Sequence, residues 1–420
     1  MRKKIYNILA AVTFILLFCL NSGCGSVTQK VKSFVSMDAF NIRQVITADS
    51  TTSRTIMWQS ETEEKDAFVE YKAKGLGSKT LMQKERINDK FTDNGKTTWV
   101  HTVTLKNLQP GTEYEYRLGC GDSRSSWYTL TTAQAGKYKA LIFPDSQSAD
   151  YKSWENVAMP AWKRNQAAQF FISMGDLVDN GEHAYQWNEW FSRIQPMITR
   201  IPAAPVLGNH ETYTMNWQVR MPLAYLHYFQ LPGGVPEKYQ NQFYSFDYGD
   251  VHFVVLNNLM WEMNQFQPNM LQEQRAWFRR DMEQTKKKWK VVMMHRDIIL
   301  YEFNKPGSHP ERFDDEGVAF MPLFDRYGVD VVLTAHLHTY RNRGHIYNYR
   351  RDSRGPLYIL TGIAGDVKSK NLWKHSPFDV VSAPEPETYN YMVLEADSNA
   401  LKLSCYLPDG RKIDEAVVKK

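Results

Sequence analysis

Phe170-Phe171-Ile172-Ser173-Met174-Gly175-Asp176-Leu177-Val178-Asp179-Asn180-Gly181 is the stretch on which the reading of this chain turns. A near-continuous apolar run of strand length ends in Gly-Asp, and a second acid and a second glycine follow at once. Runs of this texture predict strands covered on both faces, as in an α/β sheet. Ligand sites in such sheets lie beyond the carboxyl ends of the strands, which is where Asp176 falls.

The same pattern recurs to either side. Tyr138–Phe143 runs into Pro144-Asp145-Ser146-Gln147, and Ala204–Leu207 into Gly208-Asn209-His210-Glu211. Val291–Met294 runs into His295-Arg296-Asp297, and Val331–Leu333 into Thr334-Ala335-His336-Leu337-His338. Further strands are expected at Val251–Leu256 and Leu357–Leu360, with helices at Ala161–Ala168, Tyr185–Ile194, Asn269–Thr285 and Val318–Tyr327. One sheet edge thus receives carboxylates, an amide and imidazoles, with glycines where the turns must be tight. Mixed nitrogen and oxygen donors of this kind suit divalent Zn, Fe or Mn.

Taken singly, these residues say little. A lone Asp after a strand is commonly a turn or cap residue. His336 and His338 at i and i+2 merely share a face of an extended segment. His101, His183, His227, His252, His309, His345 and His375 read as ordinary structural histidines. The force lies in five strand-end signals arriving in one order.

The preceding region has a different texture. Thr55–Ser60, Ala67–Lys72, Thr102–Leu105, Tyr114–Leu118 and Trp127–Thr132 alternate apolar and polar residues between Gly, Pro and Asp turns. That predicts an all-β sandwich over residues 40–133, with Ala133–Lys137 as the linker to an α/β domain over 137–415. The sandwich carries no acid and histidine cluster, so it is expected to act as a spacer or as a wall of the cleft.

The order Asp…Gly-Asp-x-x-Asp…Gly-Asn-His-Glu…His…His-x-His resembles the signature of the calcineurin-like metallophosphoesterases. Leu108-Gln109-Pro110-Gly111-Thr112-Glu113-Tyr114-Glu115-Tyr116-Arg117 is similar to the N-terminal, fibronectin type III-like domain of purple acid phosphatases. The resemblance covers about residues 40–415 and implies an α/β catalytic domain with a β-sandwich core flanked by helices. It also implies a two-metal phosphoesterase. Asp145, bridging Asp176 and His338 would hold one divalent metal, and Asp176, Asn209, His295 and His336 the other. A hydroxide bridging the metals would attack phosphorus, with His210 stabilising or protonating the leaving oxygen. Glu211 reads as structural support.

The sequence departs from the family at several positions. Asp179 stands where purple acid phosphatases carry a metal-binding tyrosine, so the protein is expected not to be purple. It instead matches the second acid of Gly-Asp-x-x-Asp, which implies a pair with His210. Gln147 replaces a usual histidine ligand and is expected either to bind metal through its amide oxygen or to hold a water. Ala335 replaces a glycine. Asn180 replaces the phosphate-binding arginine of protein phosphatases, for which Arg296 or Arg341 could partly compensate.

The amino terminus points to export. Arg2, Lys3 and Lys4 precede an apolar run from Ile8 to Leu20, and Leu20-Asn21-Ser22-Gly23-Cys24 is similar to a bacterial lipobox. Residues 1–24 are therefore expected to be a leader, Cys24 a lipidated residue, and 25–39 a tether to the membrane of a bacterial cell envelope. An ordinary leader cleaved near Ser26 is the alternative. The formal net charge of +5 falls to +2 without the three leader cations, which gives no case for a nucleic-acid partner. Cys120 and Cys405, left after the leader, do not make a disulfide framework. The leading expectation is an extracytoplasmic hydrolase of phosphate monoesters. A phosphodiesterase acting on nucleotides or lipid head groups, and a catalytically impaired binding module, are the competing readings. Substrate choice is expected in the aromatic-rich loops Thr212–Gln242 and Leu259–Asn269.

Overall fold

A computed structural model describes residues 35–75, 77–84, 87–299, 313–366, 376–382 and 389–420. The leader with Cys24, most of the tether, His309 and His375 lie outside them. Among the described residues no helix is long and apolar enough to cross a membrane.

Among the described residues, three sheets organise the chain. An eight-stranded sheet is parallel through Val251–Val255, Trp289–Met293, Val331–Thr334 and Leu357–Thr361, with antiparallel strands at its margins. A ten-stranded sheet runs parallel through Tyr138–Phe143, Ala168–Ser173 and Ala203–Pro205. The two sheets face each other through aromatic residues. Phe170 meets Phe246 and Phe253 edge-on, with ring centroids 5.9 and 5.6 Å apart. This is the β-sandwich core implied by the resemblance.

Helices cover the outer faces because their apolar residues fall on one side. Lys152–Arg164 buries Trp154, Val157, Ala158, Ala161 and Trp162, a stripe at helical spacing. The sequence suggests a start near Ala161, after Pro160, but that stripe continues on the N-terminal side of the proline and the helix runs through it. Met270–Gln284 buries Gln274, Trp277, Phe278 and Met282. Asp315–Tyr327 is capped by Asp314, whose carboxylate accepts from Gly317 N–H at 2.5 Å.

The amino-terminal region has a small core of its own, built on Ile56, Trp58, Val69, Val103, Tyr116 and Leu118. Tyr114 Oη accepts from the Gln109 N–H at 2.8 Å, a tyrosine corner that pins the Gln109–Thr112 turn. The backbone ladder does not stop at the linker. Phe40–Val45 joins Ala203–Pro205 in parallel at Val45 and Ala203, so the ten-stranded sheet passes from catalytic strands into Arg54–Ser60, Lys96–Leu105 and Ile87–Asp93. Ala133, within the expected linker, is fully buried and bonds Ser50 O through its N–H at 2.9 Å.

Candidate metal centre

Asp145, Asp176, Asn209, His295, His336 and His338 all follow strand ends at one edge of the facing sheets. They form two groups that share an acid. Asp176, His295 and His336 present ligand atoms within 4.8 Å of one another, and so do Asp145, Asp176 and His338.

The backbone is shaped for this convergence. Asp176, His336 and His338 adopt left-handed conformations, with φ of 48, 76 and 51°. Such strain in non-glycine residues clusters at functional sites. A Cβ on Gly175 would sit 2.5 Å from His295 Nδ1, and one on Gly208 would sit 2.1 Å from Asp176 N. Both glycines are therefore required by close approach of the two ligand-bearing turns. Glu211 braces the same turns, its carboxylate accepting from the N–H groups of Asp176, Leu177, Val178 and Gly208 at 2.7–3.2 Å. Burial and the Asp176 carboxylate push its pKa up to about 7, against the pull of those donors.

His295, Asn209 and Asp145 are each oriented by a second contact. His295 Nδ1 donates to Met174 O at 2.9 Å, which leaves Nε2 facing Asp176 Oδ2 and Asn209 Oδ1, each at 3.1 Å. Asn209 Nδ2 turns toward Tyr213 Oη at 3.4 Å, so its oxygen faces the centre. Asp145 Oδ1 accepts from His336 N–H at 3.1 Å, and its Oδ2 lies 3.2 Å from His338 Nε2. Burial would raise the Asp176 pKa, but the imidazoles of His295 and His210 hold it well below the usual range. Two buried ligand atoms of this set have no hydrogen-bond partner, Asp145 Oδ2 and His336 Nδ1. Such orphans are costly unless something else binds them, and a cation pair meets that need.

The remaining expected residues fall around this core. Gln147 is buried with Nε2 3.4 Å from Asp176 Oδ2 and 3.5 Å from His338 Nε2, within reach of the first group. Exchanging its amide oxygen and nitrogen would turn the oxygen inward. Asp179 belongs to neither ligand group. Its carbonyl lies 2.8 Å, and its carboxylate 3.3 Å, from His210 Nδ1. His210 Nε2 points back toward Asp176 Oδ2 at 3.9 Å.

Of the two arginines expected to compensate for Asn180, the structure offers one. Arg341 is buried, with its guanidinium paired to Asp379, so the expectation of a phosphate contact there is corrected. Arg296 lines a cavity of about 730 Å³ together with the ligand His336, Trp261 and Phe313. Its guanidinium pairs with Glu262, a fully buried acid that also accepts from Tyr213 Oη at 3.4 Å. Asn258 clamps the Arg296 backbone through two hydrogen bonds of 2.9 and 3.0 Å. Sequence reasoning did not find Asn258, Glu262 or Tyr213. The aromatic texture of the two long loops was the only signal near them.

An acid shared between two imidazole-bearing groups is what a close pair of divalent cations requires. With the two-sheet core, it defines the class: a dinuclear metallophosphoesterase.

Comparison with known proteins agrees. Residues 141–340 match the family model described as calcineurin-like phosphoesterase, and residues 39–132 match that of the purple acid phosphatase N-terminal domain. Acid phosphatase type 7 of Mus musculus is 25% identical over 369 residues, spanning 78% of this chain and 79% of that protein. Purple acid phosphatase 23 of Arabidopsis thaliana is 24% identical, over 65% of this chain and 64% of that protein. The purple acid phosphatase PPD1 from yellow lupin superposes with a TM-score of 0.75 at 19% identity, covering 91% of this chain and 74% of that one. The chain thus carries a calcineurin-like phosphoesterase domain behind a purple acid phosphatase N-terminal domain, its relatives include purple acid phosphatases, and it is a metal-dependent phosphatase.

Proposed function

We propose that this protein is an exported, lipid-anchored phosphomonoesterase of the bacterial cell envelope. The observation that carries the catalytic part is Asp176 shared by two ligand groups, with His210 facing the same point. Asp145, Asp176 and His338 would hold one divalent ion, and Asp176, Asn209, His295 and His336 the other. When bound, the ions supply Lewis acidity, which lowers the pKa of water and offsets charge on phosphoryl oxygens. The protein's own part is orientation and proton transfer. Asn209 and His295 present fixed donor atoms, and Glu211 holds the turns of Asp176 and Asn209. His210, with Nδ1 anchored on Asp179, has Nε2 free to give a proton to the departing ester oxygen. Arg296, although paired with Glu262, lines the cavity beside His336, where its remaining guanidinium N–H groups suit the oxygens of a monoester.

Oxygen-rich coordination with Gln147 in place of histidine, and no tyrosine at 179, favours Mn or Fe(II), with Zn also suited to the donors. Metal analysis with hydrolysis of 4-nitrophenyl phosphate and bis(4-nitrophenyl) phosphate tests the reading. It expects about two metals per chain and faster monoester turnover. Faster diester turnover would establish the second reading, a phosphodiesterase, which the 730 Å³ cavity could serve by housing a second ester arm. Full metal without turnover of either would point to the binding module. Export and anchoring rest on residues 1–24. Cys24→Ser should release the protein from membranes or block its processing, and unchanged fractionation would overturn the anchor.

A further inference from the structure

Trp217 belongs to the aromatic-rich loop Thr212–Gln242 and stands beside the centre. Its side chain is 56% exposed, and its backbone is left-handed with φ 61°, a conformation bulky residues rarely adopt. The turn that holds it is built. Trp217 N–H donates to Thr214 O at 2.9 Å, Thr214 N–H to Gln218 O at 2.9 Å, and Gln218 N–H to Thr214 Oγ1 at 3.0 Å. The indole stands perpendicular to His210, with centroids 5.7 Å apart, and tilted to Tyr213 at 5.9 Å.

The amino-terminal sandwich holds this turn from outside. Arg220 grips Asp93, in the hairpin between Ile87–Asp93 and Lys96–Leu105, through two bonds of 2.8 and 3.0 Å. Asn94, at the tip of that hairpin, donates to Met215 Sδ at 3.2 Å.

We infer that Trp217 is a specificity-determining platform for a flat, aromatic leaving group, held in place by the sandwich hairpin. The inference rests on the phosphomonoesterase reading for the direction of the ester. If His210 protonates the leaving oxygen, the organic group on that oxygen must lie beside His210, where the exposed indole is the surface on offer. Packing of an aromatic ring on tryptophan is favourable and tolerant of ring identity. No comparable surface is needed by a small aliphatic alcohol, so the two substrate types separate.

The test measures calorimetric binding of benzylphosphonate and ethylphosphonate, non-hydrolysable isosteres of aryl and alkyl phosphates, to the metal-loaded protein. The wild type should prefer the benzyl compound by about tenfold. Trp217→Ala should lose that preference with metal content and ethylphosphonate affinity unchanged, and Trp217→Phe should retain most of it. Asp93→Asn should weaken it in the same direction. Steady-state kinetics supply the second readout: in Trp217→Ala, KM should rise for 4-nitrophenyl phosphate and not for glycerol 2-phosphate, with kcat held for both. A wild type without the benzyl preference overturns the inference. So does a Trp217→Ala variant whose kcat falls for both esters, because the indole would then only be orienting His210. Selective phosphonate binding without ester turnover would instead remove the phosphomonoesterase reading and leave the aromatic subsite standing.

Discussion

Asp179 touches His210 twice at the same nitrogen, through its carbonyl at 2.8 Å and its carboxylate at 3.3 Å. The carbonyl contact fixes the ring, so it survives replacement of the side chain. Asp179→Asn should therefore remove charge more than orientation. Metal content is expected to hold while kcat/KM falls about tenfold, a part of what general acid catalysis contributes. In a double-mutant cycle with His210→Ala the losses should fall short of additive, since the carboxylate then has nothing to support. Loss of one metal per chain in Asp179→Asn would instead make it a ligand in the tyrosine's place.

Asp176 presents a sharper case, because both ligand groups depend on it. Its Oδ1 also accepts from His210 N–H at 2.9 Å, tying the acid to the turn that carries Asn209. Asp176→Asn should lose both metals and lower turnover by about three orders of magnitude or more. Inductively coupled plasma analysis of the purified variant decides it. A full metal complement with near-normal turnover would exclude the shared role.

Gln147 occupies a place where an imidazole would bind more strongly. Its buried amide lies within 3.5 Å of His338 Nε2, so a histidine there could reach the first group with little backbone change. Gln147→His should tighten retention of one metal during chelator dialysis and leave the other as it was. Equal retention of both metals in variant and wild type would place Gln147 outside the coordination sphere.

The ligand set was legible because each member sits directly behind an apolar run, and strand direction alone carries them to one edge. Gly175 and Gly208 were legible for the same reason, as turn residues, although their mutual contact was not. What escaped were relations between residues far apart in sequence. The pairing of Val45 with Ala203 leaves no mark on the periodicity of either segment, so the sheet's passage into the sandwich could not be read. Arg220 and Asp93 stand 127 positions apart, and each alone reads as a solvated charge. Nothing in the aromatic loop Leu259–Asn269 singles out Glu262; only the fold buries it against Arg296.

His252 read as structural, and the structure gives that role a pH dependence. Its Nδ1 lies 2.7 Å from Asp247 Oδ1 and its Nε2 2.9 Å from Asp281 Oδ2, joining a hairpin strand to the helix Met270–Gln284. Burial would lower the imidazole pKa, but the bonds to Asp247 and Asp281 outweigh it and raise the value from 6.5 to about 9. The folded state thus holds this proton more tightly than the unfolded chain. The resulting stability is fully present below pH 6.5 and is lost as pH rises through about 9. A shift of that size corresponds to at most ~3 kcal/mol. His252→Gln cannot carry the charge, so its urea midpoint should lie well below wild type at pH 6, with the gap closing by pH 9.5. Comparing the two proteins at each pH cancels the other titrating groups they share. A gap of the same size at both pH values would mean that the imidazole contributes only packing, and the charged bridge between the two carboxylates would have to be abandoned.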